Sequence, residues 1–256
     1  SIVKKFAFSP QSSAAIFIFT GLVFALGAGG FLFVKEINVH TGEKRDAHSV
    51  RSFVRAAKDV MSNRNFVRFF ASGIEASAIA TVISFFATYA VEFRNINPSA
   101  AAGLFAGIIY TGSILSNIVM GWFDILPIKR KFILSRSCGT AAIIMLIFAN
   151  NLTLFITASF LIGIERGVQQ LAYAPAVKTL SGRHDATDHF AIAQLLSLPF
   201  SFGIPVATGL MIEKLHRSGA LSYQIAFAFL AVAAVAGVVL VIKTDFPRNQ
   251  HSATHQ

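Results

Sequence analysis

Seven stretches of mainly apolar residues divide the chain, at 14–34, 69–91, 99–121, 133–150, 152–174, 190–212 and 223–242. Each approaches the ~20 residues a helix needs to cross the hydrocarbon core of a bilayer. Within them the apolar residues run on without the alternation of a barrel strand, as at 141–149 and 226–242, so each is read as a helix. The longest polar interval is 35–65. There Val50, Phe53, Val54, Ala57, Val60 and Met61 recur at helical spacing, opposite Arg51, Arg55, Lys58 and Asp59. That pattern predicts an amphipathic helix, either lying on the membrane face or packed on the spans as a linker. The expected organisation is one helix within 1–34, a polar loop at 35–65, a six-helix domain at 66–245 and a tail at 246–256.

Composition agrees with a membrane protein. Hydrophobic residues make up 54% of the 256, charged residues only 13%, and the mean hydropathy is +0.63. Soluble domains carry about 25% charged residues. The net charge of +10 would suit nucleic acid, but its distribution points elsewhere. Sixteen of the 22 Lys and Arg residues fall on one side of the spans, in 35–68, at 129–131 with Arg136, at Lys178 and Arg183, and at Lys243 and Arg248. Five fall on the other side: Lys4, Lys5, Arg94, Lys214 and Arg217. Positive loops stay in the cytoplasm during insertion, so the C-terminus is expected in the cytoplasm, most simply across an inner (plasma) membrane. The basic excess is therefore read as topology with some attraction to anionic lipid, and no nucleic-acid partner is expected.

Polarity varies from span to span with a period of three. The first, fourth and seventh spans hold no acid, and their one basic residue is Arg136, read as lying near the cytoplasmic end. The second holds Glu75; the fifth holds Glu165, Arg166, Gln169, Gln170 and Tyr173. The third and sixth are intermediate, with Tyr110, Ser113, Ser116 and Asn117, then Gln194, Ser197 and Ser201. Three crossings per triplet turn the second triplet upside down relative to the first. The fold class expected is thus an all-α polytopic membrane protein of seven transmembrane helices, six of them forming two inverted three-helix repeats. Gly-Ile-Glu occurs at both 73–75 and 163–165, but at different depths, and is read as coincidence.

In this pattern the chain resembles the C-terminal half of a major facilitator superfamily transporter: the sixth helix, the central loop, then helices seven to twelve. The resemblance covers nearly all of residues 14–245. It implies that 1–34 holds the last helix of a missing N-terminal six-helix half, which would be a partner. It implies that the apolar spans face lipid and that the spans holding Glu75 and Glu165 line the cavity. The family's loop after helix eight is matched loosely by Gly121, Asp124, Lys129 and Arg130; the spacing from Gly to the basic pair fits, but Asp comes one residue early and the motif's Arg and second Gly are absent. The function implied is transport of a small molecule by alternating access, driven by an ion gradient with protons as the expected ion, or uniport. A seven-span receptor or sensor is the alternative reading.

The candidate chemistry lies in the spans. Ionisable residues at mid-membrane are costly and normally face a bundle interior or water. Glu165 with Gln169 forms one helical stripe; Arg166 with Gln170 and Tyr173 forms another, about 100° away. These five, with Glu75, Asn117 and Gln194, are the candidates for a substrate and proton pathway. A structural charge network between helices is the other reading of Glu165 and Arg166. Gly103 with Gly107, and Gly112 with Ser116, have the spacing that lets helices approach closely. Pro199 and Pro205 are expected to bend the sixth span. All seven His residues are placed in loops or tails, Cys138 is alone, and no phosphate-binding loop or catalytic grouping is apparent. Neither a cofactor, a metal site nor enzyme activity is expected.

Overall fold

The computed structural model describes residues 57–246 except 59, 99, 124 and 183–185, and among these it contains helices and no strand. The span expected at 14–34, most of the loop at 35–65, the tail beyond 246 and Asp124 lie outside the described residues. Seven α-helices follow one another: α1 (Arg64–Ala71), α2 (Ile74–Arg94), α3 (Phe105–Asn117), α4 (Ile128–Ile147), α5 (Leu152–Ser181), α6 (Thr187–Lys214) and α7 (Ala220–Ile242). Local chemistry sets several of their ends. The Asn63 side chain accepts hydrogen bonds from the Asn65 and Phe66 amides, and Asn151 does the same for Leu154. Asn95 and Gly182 close α2 and α5 in the left-handed conformation that those residue types tolerate.

Among the described residues, five helical segments are long and apolar enough to cross a membrane: Arg64–Arg94, Ala101–Trp122, Leu152–Ser181, His189–Lys214 and Ala220–Ile242. The chain is an all-α polytopic integral membrane protein. The elements differ from expectation in three ways. The segment expected as one helix at 69–91 is broken at Ser72 and Gly73 into α1 and α2. The span expected at 99–121 is an α-helix flanked by wider π-helical turns, Ala100–Leu104 and Ile118–Trp122. The span expected at 133–150 forms α4 but is not among the five, because Lys129, Arg130, Lys131 and Arg136 leave only 137–147 free of charge.

The two triplets, α2–α3–α4 and α5–α6–α7, share one pairing scheme. α3 packs along α5 and α6 along α2; α4 lies against α5 and α7 against α2; α4 and α7 touch each other. Exchanging the triplets reproduces these pairings, while the contacts of α2 with α4 and of α6 with α7 have no equally extensive counterpart. α4 and α7, expected to face lipid, form the seam between the triplets, whereas α3 and α6 bury the least of their length. Small residues make the seam possible. A Cβ at Gly237 would come within 3.0 Å of the Glu75 Cβ and the Ser72 carbonyl, so only glycine lets α7 approach α2 there. The opposite face of α7 still exposes Val232, Val235 and Val239.

The glycine pairs divide in the same way. Gly112 and Ser116 are buried against α5, where Gly163 and Gly167 face them at backbone contact. Gly103 and Gly107, expected to serve packing, have nothing within 4 Å of a Cβ position. Of the amphipathic stretch, Val60 is buried and Ala57 packs beside it in a cluster with Phe66, Val177 and Leu180, while Met61 is exposed. That part of the stretch is a packed linker.

Candidate functional site

The break at Ser72 and Gly73 places Glu75 in the first turn of α2, where a carboxylate is favoured by the helix dipole. Glu165 lies midway along α5, on the face turned into the bundle. Between them stands Arg136 of α4. Its Nη1 donates to Glu75 Oε2 and, at 3.3 Å, to Gln169 Oε1, and it lies 4.0 Å from Glu165 Oε1. All three charged side chains are buried, at 3% exposure or less. Ser135, next to Arg136, donates to the Glu165 carbonyl at 3.0 Å and pins α4 to α5.

The cluster is incompletely satisfied. Glu75 Oε1, Glu165 Oε1 and Arg136 Nε have no hydrogen-bond partner although each is buried. Two carboxylates facing one guanidinium carry one negative charge in excess, and a single bound proton removes it. Removing the guanidinium from such a buried set costs several kcal/mol, because two carboxylates are left without a cation.

Two connected concavities adjoin the cluster. The first, about 460 Å³, has Arg136, Gln169, Gln170, Tyr173 and Gln194 in its wall, with Phe69 and Phe70 at one side. The second, about 320 Å³, shares Ala76, Ala80, Gln169 and Gln170 with the first and is bounded by Glu165 and Arg166. The structure thus gathers Glu75, Glu165 and Gln169 at Arg136, and Gln170, Tyr173, Gln194 and Arg166 around the space beside it. On α5 the polar face borders the concavities, whereas Glu75 of α2 lines neither and turns instead toward Gly139 of α4 and Gly237 of α7.

The remaining candidates lie elsewhere. Asn117 is half-buried on α3 with its Oδ1 unpartnered, and Gly121 sits against Leu171. Lys129 is 4.0 Å from Asp245, and Arg130 is exposed. None of these four lines either concavity. Asp124 lies outside the described residues. His189, expected in a loop, is in the first turn of α6, buried, with its ring 5.1 Å from that of Phe66. Among the described residues no three His, Cys, Asp or Glu side chains group as metal ligands.

Arg136, read from the sequence only as a residue near the end of its span, is buried with Glu75 and Glu165. A signal for it existed on α4. Phe132, Ser135, Arg136, Gly139 and Thr140 share one helical face, and all five are buried. A small, polar stripe on a helix that otherwise reads as apolar marks the side that receives other helices' polar groups. Compared with known proteins, the chain matches no family model and no curated protein.

Proposed function

We propose that the chain is the C-terminal half of a secondary active transporter of the major facilitator type. It moves a small molecule by alternating access, with protons as the coupling ion. The observation that carries this reading is the Glu75–Arg136–Glu165 cluster, set where the two triplets meet and next to a concavity whose wall includes Gln169, Gln170 and Gln194. Secondary transporters hold substrate and coupling ion at such a repeat interface. A proton arriving at a carboxylate changes the charge that Arg136 must balance. That gives the two triplets, or this domain and a second six-helix half, a reason to re-pack. In this reading residues 35–65, 129–131 and 243–256 face the cytoplasm across a plasma membrane, and the protein is a carrier and not a catalyst.

The test is flux. Full-length protein is reconstituted into vesicles holding a pH-sensitive dye and challenged with sugars, amino acids, organic acids and cationic drugs. Solute-dependent proton movement is expected, lost in Glu165→Gln while solute exchange at equal pH persists. Solute binding with a conformational response but no flux would instead favour a receptor.

A further inference from the structure

Arg166 makes no hydrogen bond or close ion pair with the buried cluster and acts on Glu165 only through space. It is exposed in the middle of α5, and among the described residues it makes no hydrogen bond and no ion pair within 4.0 Å. An unpaired cation at that depth is costly and calls for an anion. The chain's own acids supply none in direct contact. Of the twelve Asp and Glu residues only Glu75 and Glu165 fall inside expected spans, and the span at 14–34 contains none. Both of those carboxylates face Arg136, and Glu165 is buried on the neighbouring helical face.

The surroundings of Arg166 have the form of a binding site. It bounds the concavity of about 320 Å³ together with Gln169 and Gln170, and the same two amides continue into the larger space of about 460 Å³. Gln170 is one turn from Arg166 on the same face, and Tyr173 nearly two turns, so the stripe from the cation to the phenol is about 10 Å long. At the Tyr173 end the wall becomes aromatic: its ring stacks on Phe69 at 6.2 Å, and Phe70 adjoins Phe69 at 5.7 Å. The lining therefore runs from a guanidinium, through amides, to flat apolar rings.

We infer that Arg166, with Gln169 and Gln170, holds the carboxylate of an organic anion whose apolar body extends along α5 toward Tyr173 and Phe69. The guanidinium offers two parallel donors to a carboxylate, a geometry that neither a hydroxyl nor an ammonium group can use. This deepens the transport reading, on which it rests only in taking the concavity as a solute site.

The test uses the full chain in dodecyl maltoside, with Cys138→Ser and Ser197→Cys giving one reporter thiol on the cavity wall. Benzoate, phenylbutyrate and octanoate, and the uncharged amide of each, compete with maleimide labelling of that thiol. At least one carboxylate should slow labelling while its amide does so at least about tenfold more weakly. Arg166→Gln should weaken carboxylate protection by a similar factor, with Arg166→Lys recovering part of it and the melting temperature little changed. Lack of protection by all three acids, equal protection by the amides, or indifference to Arg166→Gln would each overturn the inference. So would protection by added phosphatidylglycerol in place of the carboxylates, which assigns Arg166 to a lipid phosphate. The amide series needs no change at Arg166, so it decides even if that variant misfolds. Arg166-dependent binding without vesicle flux would remove the transport reading alone; flux of neutral solutes blind to Arg166 would remove the anion site alone.

Discussion

A Cβ at residue 139 would lie less than 3.0 Å from the Glu75 carboxylate, so Gly139 of α4 and Glu75 of α2 occupy one space between them. The same Cβ would sit 3.0 Å from Glu165 Cγ. Gly139 is the opening through which both acids reach Arg136, one turn away on the same helix. Gly139→Ala should therefore cost about 1–3 kcal/mol by overpacking, read as a lower melting temperature in detergent. The added cost of Gly139→Ala should be smaller in a Glu75→Ala background than in the unaltered protein, since that variant lacks the group that alanine meets.

Arg136 itself offers a sharper contrast. Arg136→Met leaves two buried carboxylates with no cation and should destabilise by about 3–5 kcal/mol. Adding Glu75→Gln and Glu165→Gln removes the stranded charges, and the triple variant should melt well above the single one. A triple variant no more stable than Arg136→Met would show that the three groups do not act as a unit.

The seam between α3 and α5 gives a test of packing alone. A Cβ at Gly163 would enter the Ile109 carbonyl, a backbone atom that cannot move aside, whereas one at Gly107 meets nothing within 4 Å. Gly163→Ala should lower stability by about 1–3 kcal/mol. Gly107→Ala should be neutral or raise it by up to about 1 kcal/mol through helix propensity. Thermal unfolding of the two variants side by side checks the pair.

Orientation is tested by labelling. With Cys138→Ser as background, Arg130→Cys should be reached by an impermeant maleimide only after the cells are opened. Labelling from outside intact cells would reverse the assignment of sides.

The helices and the two-triplet order were legible because each apolar stretch exceeds what a soluble helix needs, and because polarity recurs every third span. The positions of Glu75, Glu165 and Gln169 on inward faces followed from the cost of burying charge in lipid. Arg136 was not legible in the same way. Counted with its neighbours 129–131, it reads as one more residue of a positive loop, and the stripe of Ser135, Gly139 and Thr140 on its face is a faint mark that gains meaning only with their burial. The break at Ser72 and Gly73 left no strong mark either. Neither residue is proline, and the turn is held by backbone contacts and by the Ser72 hydroxyl donating to the Phe69 carbonyl. The exposed state of Gly103 and Gly107 shows that small-residue spacing permits close approach without choosing which pair of helices uses it.

The shared pairing scheme of the triplets has a consequence for how this sequence can drift. α4 and α7 hold corresponding places, yet α4 carries a buried cation beside a glycine, and α7 carries no charge at all. An exchange of one apolar residue for another along the outer face of α7 leaves every polar contact described intact. On α4 the residues at 136 and 139 meet acids from two other helices, so a change at one requires changes at the others. Two helices of common placement are thus held to different rates of change, and the slower one should be the helix that reads as the less apolar of the two.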